Sequence, residues 1–310
     1  MITTVTLNPA VDKTYTAARL LLGQVNRMDS VKNIAGGKGI NVSKVLRQYD
    51  YPVKALGFMG GYTGRFIEDY AKEIGIQCHF THVEGETRSS INILSQDGYV
   101  TEVLEPGPTI LEAELAVFLQ DFDREISDSN LVILSGSAPA GVPSSIYGEL
   151  IQRSKKQGKK VLLDTSGPLL REGVAAKPFM IKPNVKELET LAGRRLKNLE
   201  EIADAAVFLN RQGIEHILVS MGAKGLLYVR EGEVIHAKAP KIRAVNTVGC
   251  GDSTVAAFAM ALESGLSGES MLKLCIGISA ANASTLESAV IPKDLAKELE
   301  EKAKIEIFDY

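Results

Sequence analysis

The residues with the clearest chemical potential are NTVGCGDS, 246–253, followed at once by the apolar-periodic run TVAAFAMALESG. Two glycines flank Cys250 where a helix is predicted to begin. The main-chain amides of Gly249, Cys250, Gly251 and Asp252 are therefore expected to converge on an anion, aided by the helix dipole. A carboxylate in the same turn repels a bound anion unless it takes a proton from a hydroxyl attacking that anion. Asp252 thus has two readings, a general base or an N-terminal cap, and this segment alone leaves both open. Neither common nucleotide fingerprint fits. Gly39 follows Lys38 where a P-loop needs Ser or Thr, and Thr254 stands where a dinucleotide fingerprint needs a third small residue.

A second cluster is AGGKGIN, 35–41, in which glycines surround Lys38 between a strand-like and a helix-like segment. Glycine supplies hinge freedom and close ligand approach, and lysine a point charge suited to phosphate. Arg27 and Arg88 lie on two segments that lack crossover helices and are placed to join Lys38, although isolated cations are usually solvated. In IKPNVKEL, 181–188, Asn184 and Glu187 have capping-box spacing, which explains both without function; the alternative places Glu187 in the outer shell of a magnesium ion. VSMGAKG, 219–225, ends a strand at Ser220 and turns through Gly222 and Gly225 into a hairpin at 226–238, at a sheet end where loops touch ligand.

These segments must be held by a larger frame. Apolar strand runs alternate with 3.6-period runs, the pattern of an α/β fold with a doubly wound, mostly parallel sheet. Strands are predicted at 2–7, 53–58, 130–135, 159–164, 178–181 and 215–220. Helices are predicted at 39–49, 62–74, 111–126, 143–157, 198–212, 251–264, 269–285 and 292–303. The exceptions are 12–35 and 88–105, the latter a hairpin around Asp97-Gly98; together they are expected to form a small β-sheet lid. With no repeat or linker, 1–310 is expected to be one domain from which the lid is an excursion.

Composition narrows the function. With 35 basic and 38 acidic residues, a net charge of -3 and 45% hydrophobic residues, nothing suggests a nucleic-acid or membrane-surface protein. The first twenty residues lack a signal-peptide core, and no run of 18 apolar residues occurs. Cys78, Cys250 and Cys275 suit neither a disulfide framework nor a zinc site, so a cytoplasmic protein is expected. The four histidines form no metal-binding pattern.

Taken in order, TLNPAVD (6–12), AGGKGIN (35–41), SGSAPAG (135–141), KPNVKEL (182–188), VSMGAKG (219–225) and NTVGCGDS (246–253) resemble the ribokinase-like, or PfkB, carbohydrate kinases. GETR (85–88) and TEVLEPGP (101–108) are similar to its phosphosugar kinase branch, the 1-phosphofructokinases and tagatose-6-phosphate kinases. The resemblance implies that Asp252 is the base and that Gly249, Cys250 and Gly251 stabilise the transferred γ-phosphoryl. It implies that Asp12 holds sugar hydroxyls, that Lys38, Arg27 and Arg88 recognise the sugar's phosphate, and that Gly36, Gly37, Gly39 and Asn41 shape the hinge and meet the sugar. Lys182, Ser220, Gly222, Gly225 and Asn282 would line the ATP side, and Asn184 and Glu187 would organise Mg2+ through water.

The resemblance thus implies an ATP-dependent phosphosugar kinase using ATP and Mg2+. Fructose 1-phosphate is the first expected acceptor, with tagatose 6-phosphate and fructose 6-phosphate as alternatives and a non-catalytic sensor as the rival class. An exposed apolar face on the lid is expected to pair with a second copy. Two departures stand out. Asn246 replaces an acidic residue linked to monovalent-cation binding, and Cys250 fills a position usually Ala or Ser, either as a thiol of lowered pKa or as a small buried filler.

Overall fold

The computed structural model describes residues 1–96 and 99–308. Its strands are β1 (Ile2–Thr6), β2 (Ala10–Ala17), β3 (Ser30–Gly36), β4 (Val53–Met59), β5 (Gln77–His82), β6 (Arg88–Ser95), β7 (Val100–Leu104), β8 (Leu131–Ser135), β9 (Lys160–Asp164), β10 (Met180–Ile181), β11 (His216–Ser220), β12 (Leu226–Arg230), β13 (Glu233–Lys238) and β14 (Lys304–Phe308). Its helices are α1 (Lys38–Gln48), α2 (Gly61–Glu73), α3 (Glu112–Glu125), α4 (Ile146–Lys156), α5 (Gly167–Ala175), α6 (Val185–Ala192), α7 (Leu199–Arg211), α8 (Cys250–Glu263), α9 (Gly268–Ala283) and α10 (Lys293–Lys302).

One sheet has the order β14-β13-β12-β11-β10-β9-β8-β1-β4-β5. It is parallel from β5 to β11, and β12, β13 and β14 extend it antiparallel. Its central strands read as unbroken apolar runs because both faces are covered. In β8, Leu131 and Ile133 join a core with α1, α8 and α9, while Val132 and Leu134 join another with α3, α4 and α7. From β1 the chain proceeds to β4 and β5 on one side, whereas β8, β9, β10 and β11 lie on the other. That reversal opens a crevice at the carboxyl ends of β1 and β8, where α/β sheets bind ligands.

The second sheet has the order β3-β2-β6-β7. Its register sets Gly36 and Arg88 on either side of Ala10, and Asp12 beside Ile34 and Ser90. It therefore delivers Asp12, Gly36 and Arg88 from one end, next to Gly37 and the start of α1. Its strands cover the two segments expected to depart from the main sheet; the Asp97-Gly98 turn lies outside the described residues.

Three elements were not foreseen. β5 is a half-exposed edge strand whose polar residues mask its inward Phe80. α5 starts at Gly-Pro, but Pro168 lies in the first turn, where its missing N–H costs nothing. β14 alternates Ile305 and Ile307 with charged residues and pairs with β13. Among the described residues no helix is long and apolar enough to cross a membrane.

Candidate active site

Helix α8 begins at Gly249, whose φ of 81° is left-handed and which makes no side-chain cap. The first bond closing the helix runs from Ser253 N to Gly249 O, 2.8 Å, so the Gly251 and Asp252 amides precede the intrahelical ladder. The Cys250 amide is directed back at Thr247 O, 3.3 Å. Asp252 is not the cap. Its carboxylate is 5% exposed and accepts a hydrogen bond from Asn41 Nδ2 at 2.9 Å. Burial pushes its carboxyl above the usual range, with Asp164 adding and Lys38, Asn41 and Lys182 opposing. A carboxylate with that bias binds a proton more readily, as a general base requires.

Two lysines converge beside it. Lys38 Nζ lies 3.1 Å from Asp164 Oδ2, and Lys182 Nζ lies 3.3 Å from Asp164 Oδ1. Burial alone would raise the Asp164 carboxyl, but Lys182 and Lys38 hold it below its ordinary value. Asp164 in turn raises Lys38. A Cβ added at Gly251 would lie 3.1 Å from Lys182 Nζ, so this ammonium rests against the first turn of α8. Positive charge and free amides thus face one place.

The second sheet closes the other side. A Cβ at Gly36 would overlap the Asp12 carboxylate, so only glycine lets strand and carboxylate pass this closely. Burial pushes Asp12 up to about 6, against the pull of Lys44 and Arg88. Gly37 precedes α1 with no side-chain cap, and Gly39 and Asn41 are buried in its first turns. Asn41 Oδ1 is buried without a hydrogen-bond partner, a vacant acceptor next to Asp252. Arg88 donates from Nε to Asn8 O, 3.3 Å, and from Nη1 to Glu105 O, 3.4 Å. Arg27 is not brought here: it is exposed in the 18–29 loop, past the Thr16–Ser30 pair at the far end of the sheet.

On the remaining side, Asn184 and Glu187 form a reciprocal capping box at α6, with bonds of 2.8 and 2.9 Å. Ser220 bridges Asn184, and Gly222 and Gly225 turn the chain from β11 into β12. Asn282 has a framework task. Its amide donates to Val248 O at 2.9 Å and accepts from Ala289 N at 2.7 Å, tying the 246–250 turn to the 284–291 loop. Asn246 works in the same turn, accepting from Val248 N and donating to Leu286 O. Cys250 is half-buried; burial raises its thiol, against hydrogen bonds from Asn282 and Ser279.

Sequence reasoning missed Asp164, Lys44 and Asn8. Asp164 ends the apolar strand KVLLD at the carboxyl edge of the sheet, and that position was its signal. Lys44 is the lone charge in the wholly buried stretch GINVSKVL. Asn8 donates to Pro106 O and fixes the loop beside Arg88.

The model of the pfkB family carbohydrate kinases matches residues 5–293. A 1-phosphofructokinase from Bacillus subtilis (strain 168) is 35% identical over 305 residues, 98% of this chain and 99% of that protein. A structure of phosphofructokinase-2 from Escherichia coli in complex with fructose-6-phosphate superposes with a TM-score of 0.90 at 25% identity, covering 97% of this chain and 98% of the other. A tetrameric inhibited form of the same enzyme gives 0.90 at 26% identity, with coverage of 97% and 98%. With the family model matched across nearly all of its length and a 1-phosphofructokinase 35% identical over 98% of it, the chain belongs to the pfkB family of carbohydrate kinases.

Proposed function

We propose that the protein transfers the γ-phosphoryl group of ATP to a hydroxyl of a phosphosugar, with fructose 1-phosphate as acceptor and fructose 1,6-bisphosphate as product. The observation that carries this is the buried Asp252 carboxylate at the open first turn of α8, with Lys38 and Lys182 converging beside it. The resemblance to the Bacillus subtilis enzyme supports this acceptor.

In this reading Asp252, oriented by Asn41, takes the hydroxyl proton as the phosphoryl is attacked. The Gly251 and Asp252 amides, presented by the Gly249–Cys250 turn, then stabilise the charge spread over the transferred oxygens, whereas the Cys250 amide, expected among them, is turned to Thr247 O. Asp12 and Asn41 hold sugar hydroxyls, while Lys38 and Arg88 meet the phosphate already on the sugar. Lys182, Asn184, Ser220, Gly222 and Gly225 border ATP, with Asn282 fixing their neighbouring turn. Closure of the small sheet as a lid excludes water from the transfer.

The residues present fit magnesium. Among the described residues no group of three or more His, Cys, Asp or Glu forms a cage. Magnesium commonly uses one or two carboxylates together with substrate phosphates and water. Glu187 would hold it through water, within electrostatic reach of Lys38, and Asp164, ion-paired to Lys38 and to Lys182, is a second acidic group on that side. When bound, the ion offsets charge on the ATP phosphates.

A second copy is expected on the small sheet's outer face. Tyr15, Val31, Ile91, Ile93 and Val103 share the face opposite Asp12, and Val31 and Val103 are 53% and 48% exposed. Free Cys78, Cys250 and Cys275 suit the reducing cytoplasm. The test is ATP consumption with Mg2+ and fructose 1-phosphate, tagatose 6-phosphate, fructose 6-phosphate or unphosphorylated sugars, ranked by kcat/KM. Preference for fructose 1-phosphate supports the proposal. Preference for another phosphosugar replaces the acceptor, activity only with plain sugars overturns the phosphate role of Lys38 and Arg88, and silence favours a sensor.

A further inference from the structure

Behind the transfer site lies a buried cation that the proposed chemistry does not use. Lys44, two turns into α1, is 3% exposed. Its ammonium donates to two main-chain carbonyls, Ser288 O at 3.1 Å and Ala35 O at 3.4 Å, and stands 5.9 Å from the Tyr70 ring centre. One carbonyl immediately precedes the Gly36-Gly37 hinge. The other belongs to the loop that backs the start of α8.

That loop is strained and held from several sides. Ala289 has a φ of 60°, a conformation unfavourable for a residue with a Cβ. Its N–H donates to Asn282 Oδ1, 2.7 Å, and its carbonyl accepts from Gln48 Nε2, 2.6 Å. Gln48, one turn beyond Lys44, also accepts from Ile291 N at 2.9 Å. A Cβ at Gly249 would lie 3.2 Å from both Ala289 N and Ser288 Cβ, so the strained turn is packed directly against the first residue of the anion-binding turn. Such a conformation persists only where its surroundings over-determine it.

We infer that Lys44 is a positioning residue, a clamp that fixes the small-sheet hinge at Ala35 and the Ser288–Ala289 turn behind Gly249 with one ammonium. Hinge closure over the sugar and alignment of the phosphoryl-binding amides are thereby coupled. The charged groups facing it are Asp12 from β2, Glu287 from the 284–291 loop, Asp252 from α8 and Lys32 from β3, with Tyr70 from α2. Lys32 is paired with Glu287. Burial pulls the Lys44 ammonium down to about 8 against the attraction of the acids, so the clamp has a proton to lose at mildly alkaline pH. The neutral amine keeps two N–H donors but no longer has the charge that strengthens both bonds.

The inference rests on the kinase reading for its kinetic consequence but not for its structural one, and two measurements separate them. The first is hydrogen exchange on wild type, Lys44→Met and Lys44→Arg at pH 7. Lys44→Met should raise exchange at least about tenfold at both 35–37 and 288–291 while β8 and β9 stay protected, and Lys44→Arg should restore protection. Unchanged protection in Lys44→Met, or loosening of only one segment, overturns the clamp whether or not any sugar is phosphorylated. The second is kcat/KM with fructose 1-phosphate from pH 6 to 10. Wild type should lose activity above about pH 8, Lys44→Arg should carry the limb to higher pH, and Lys44→Met should be lowered by about 10- to 100-fold with that limb gone. A limb unmoved in Lys44→Arg refutes the coupling. If Lys44→Met does not fold, Lys44→Arg still decides through its limb. A wild type inactive with every acceptor, yet showing the exchange result, would count against the kinase reading and for the clamp.

Discussion

Asp164 is the counter-ion on which two site lysines depend, and replacing it with asparagine isolates that dependence. Asp164→Asn keeps the shape and a hydrogen-bond acceptor while removing the charge 3.3 Å from Lys182 and 3.1 Å from Lys38. Lys182 is 4% exposed, so it is left as a buried cation without its nearest partner. Breaking a buried pair in this way costs about 3–5 kcal/mol. The Lys38 half is 41% exposed and solvent-screened, so it adds little. Scaled to the unfolding entropy of a chain this long, the loss lowers Tm by about 5–8 °C. Phosphates supplied by ATP and the acceptor offer replacement negative charge, so saturating ligands should shrink the gap. Differential scanning calorimetry on both proteins, with and without ligands, reads this directly. An unchanged Tm for unliganded Asp164→Asn, or a gap that widens with ligands, would refute the counter-ion argument.

Other outcomes follow from the same geometry. Asp12 gives up its charge as pH falls through about 6, not 3.8, so the acceptor KM should climb below pH 6 while the ATP KM stays flat. Asp12→Asn should have a high acceptor KM that no longer responds to pH in that range. Because the folded state disfavours the ionised carboxyl, wild type loses stability as pH rises from 3.8 to about 6; Asp12→Asn should therefore melt higher at pH 7, the difference closing toward pH 4. Lys38→Ala should raise the acceptor KM much more than the ATP KM, and equal changes in steady-state kinetics would contradict its assignment to the sugar phosphate.

The glycine-rich turns were legible because glycine before a helix carries a backbone signal, and both Gly37 and Gly249 do precede helices with positive φ. The parallel sheet was legible from runs such as LVILS, whose five residues are all buried. The partners of Asp164 and Lys44 were not, since a charge at the end of an apolar strand or inside an apolar helix marks its own position but not the groups it meets. Lys182 and Lys38 reach Asp164 from distant parts of the chain. Arg27 shows the converse limit: sequence placed it on the correct excursion, but strand register put it at the opposite end of the sheet from Arg88. The Asn184–Glu187 capping box was legible outright because it is local.

The most direct test concerns Asp252. Fructose 1,6-bisphosphate formation from ATP and fructose 1-phosphate should be compared in wild type and Asp252→Asn, with ATP affinity measured by calorimetric titration on both. Asp252→Asn should lose turnover by at least ~100-fold with ATP binding largely retained, the scale of a general base removed from an otherwise intact site. Near-normal turnover in Asp252→Asn would contradict that role.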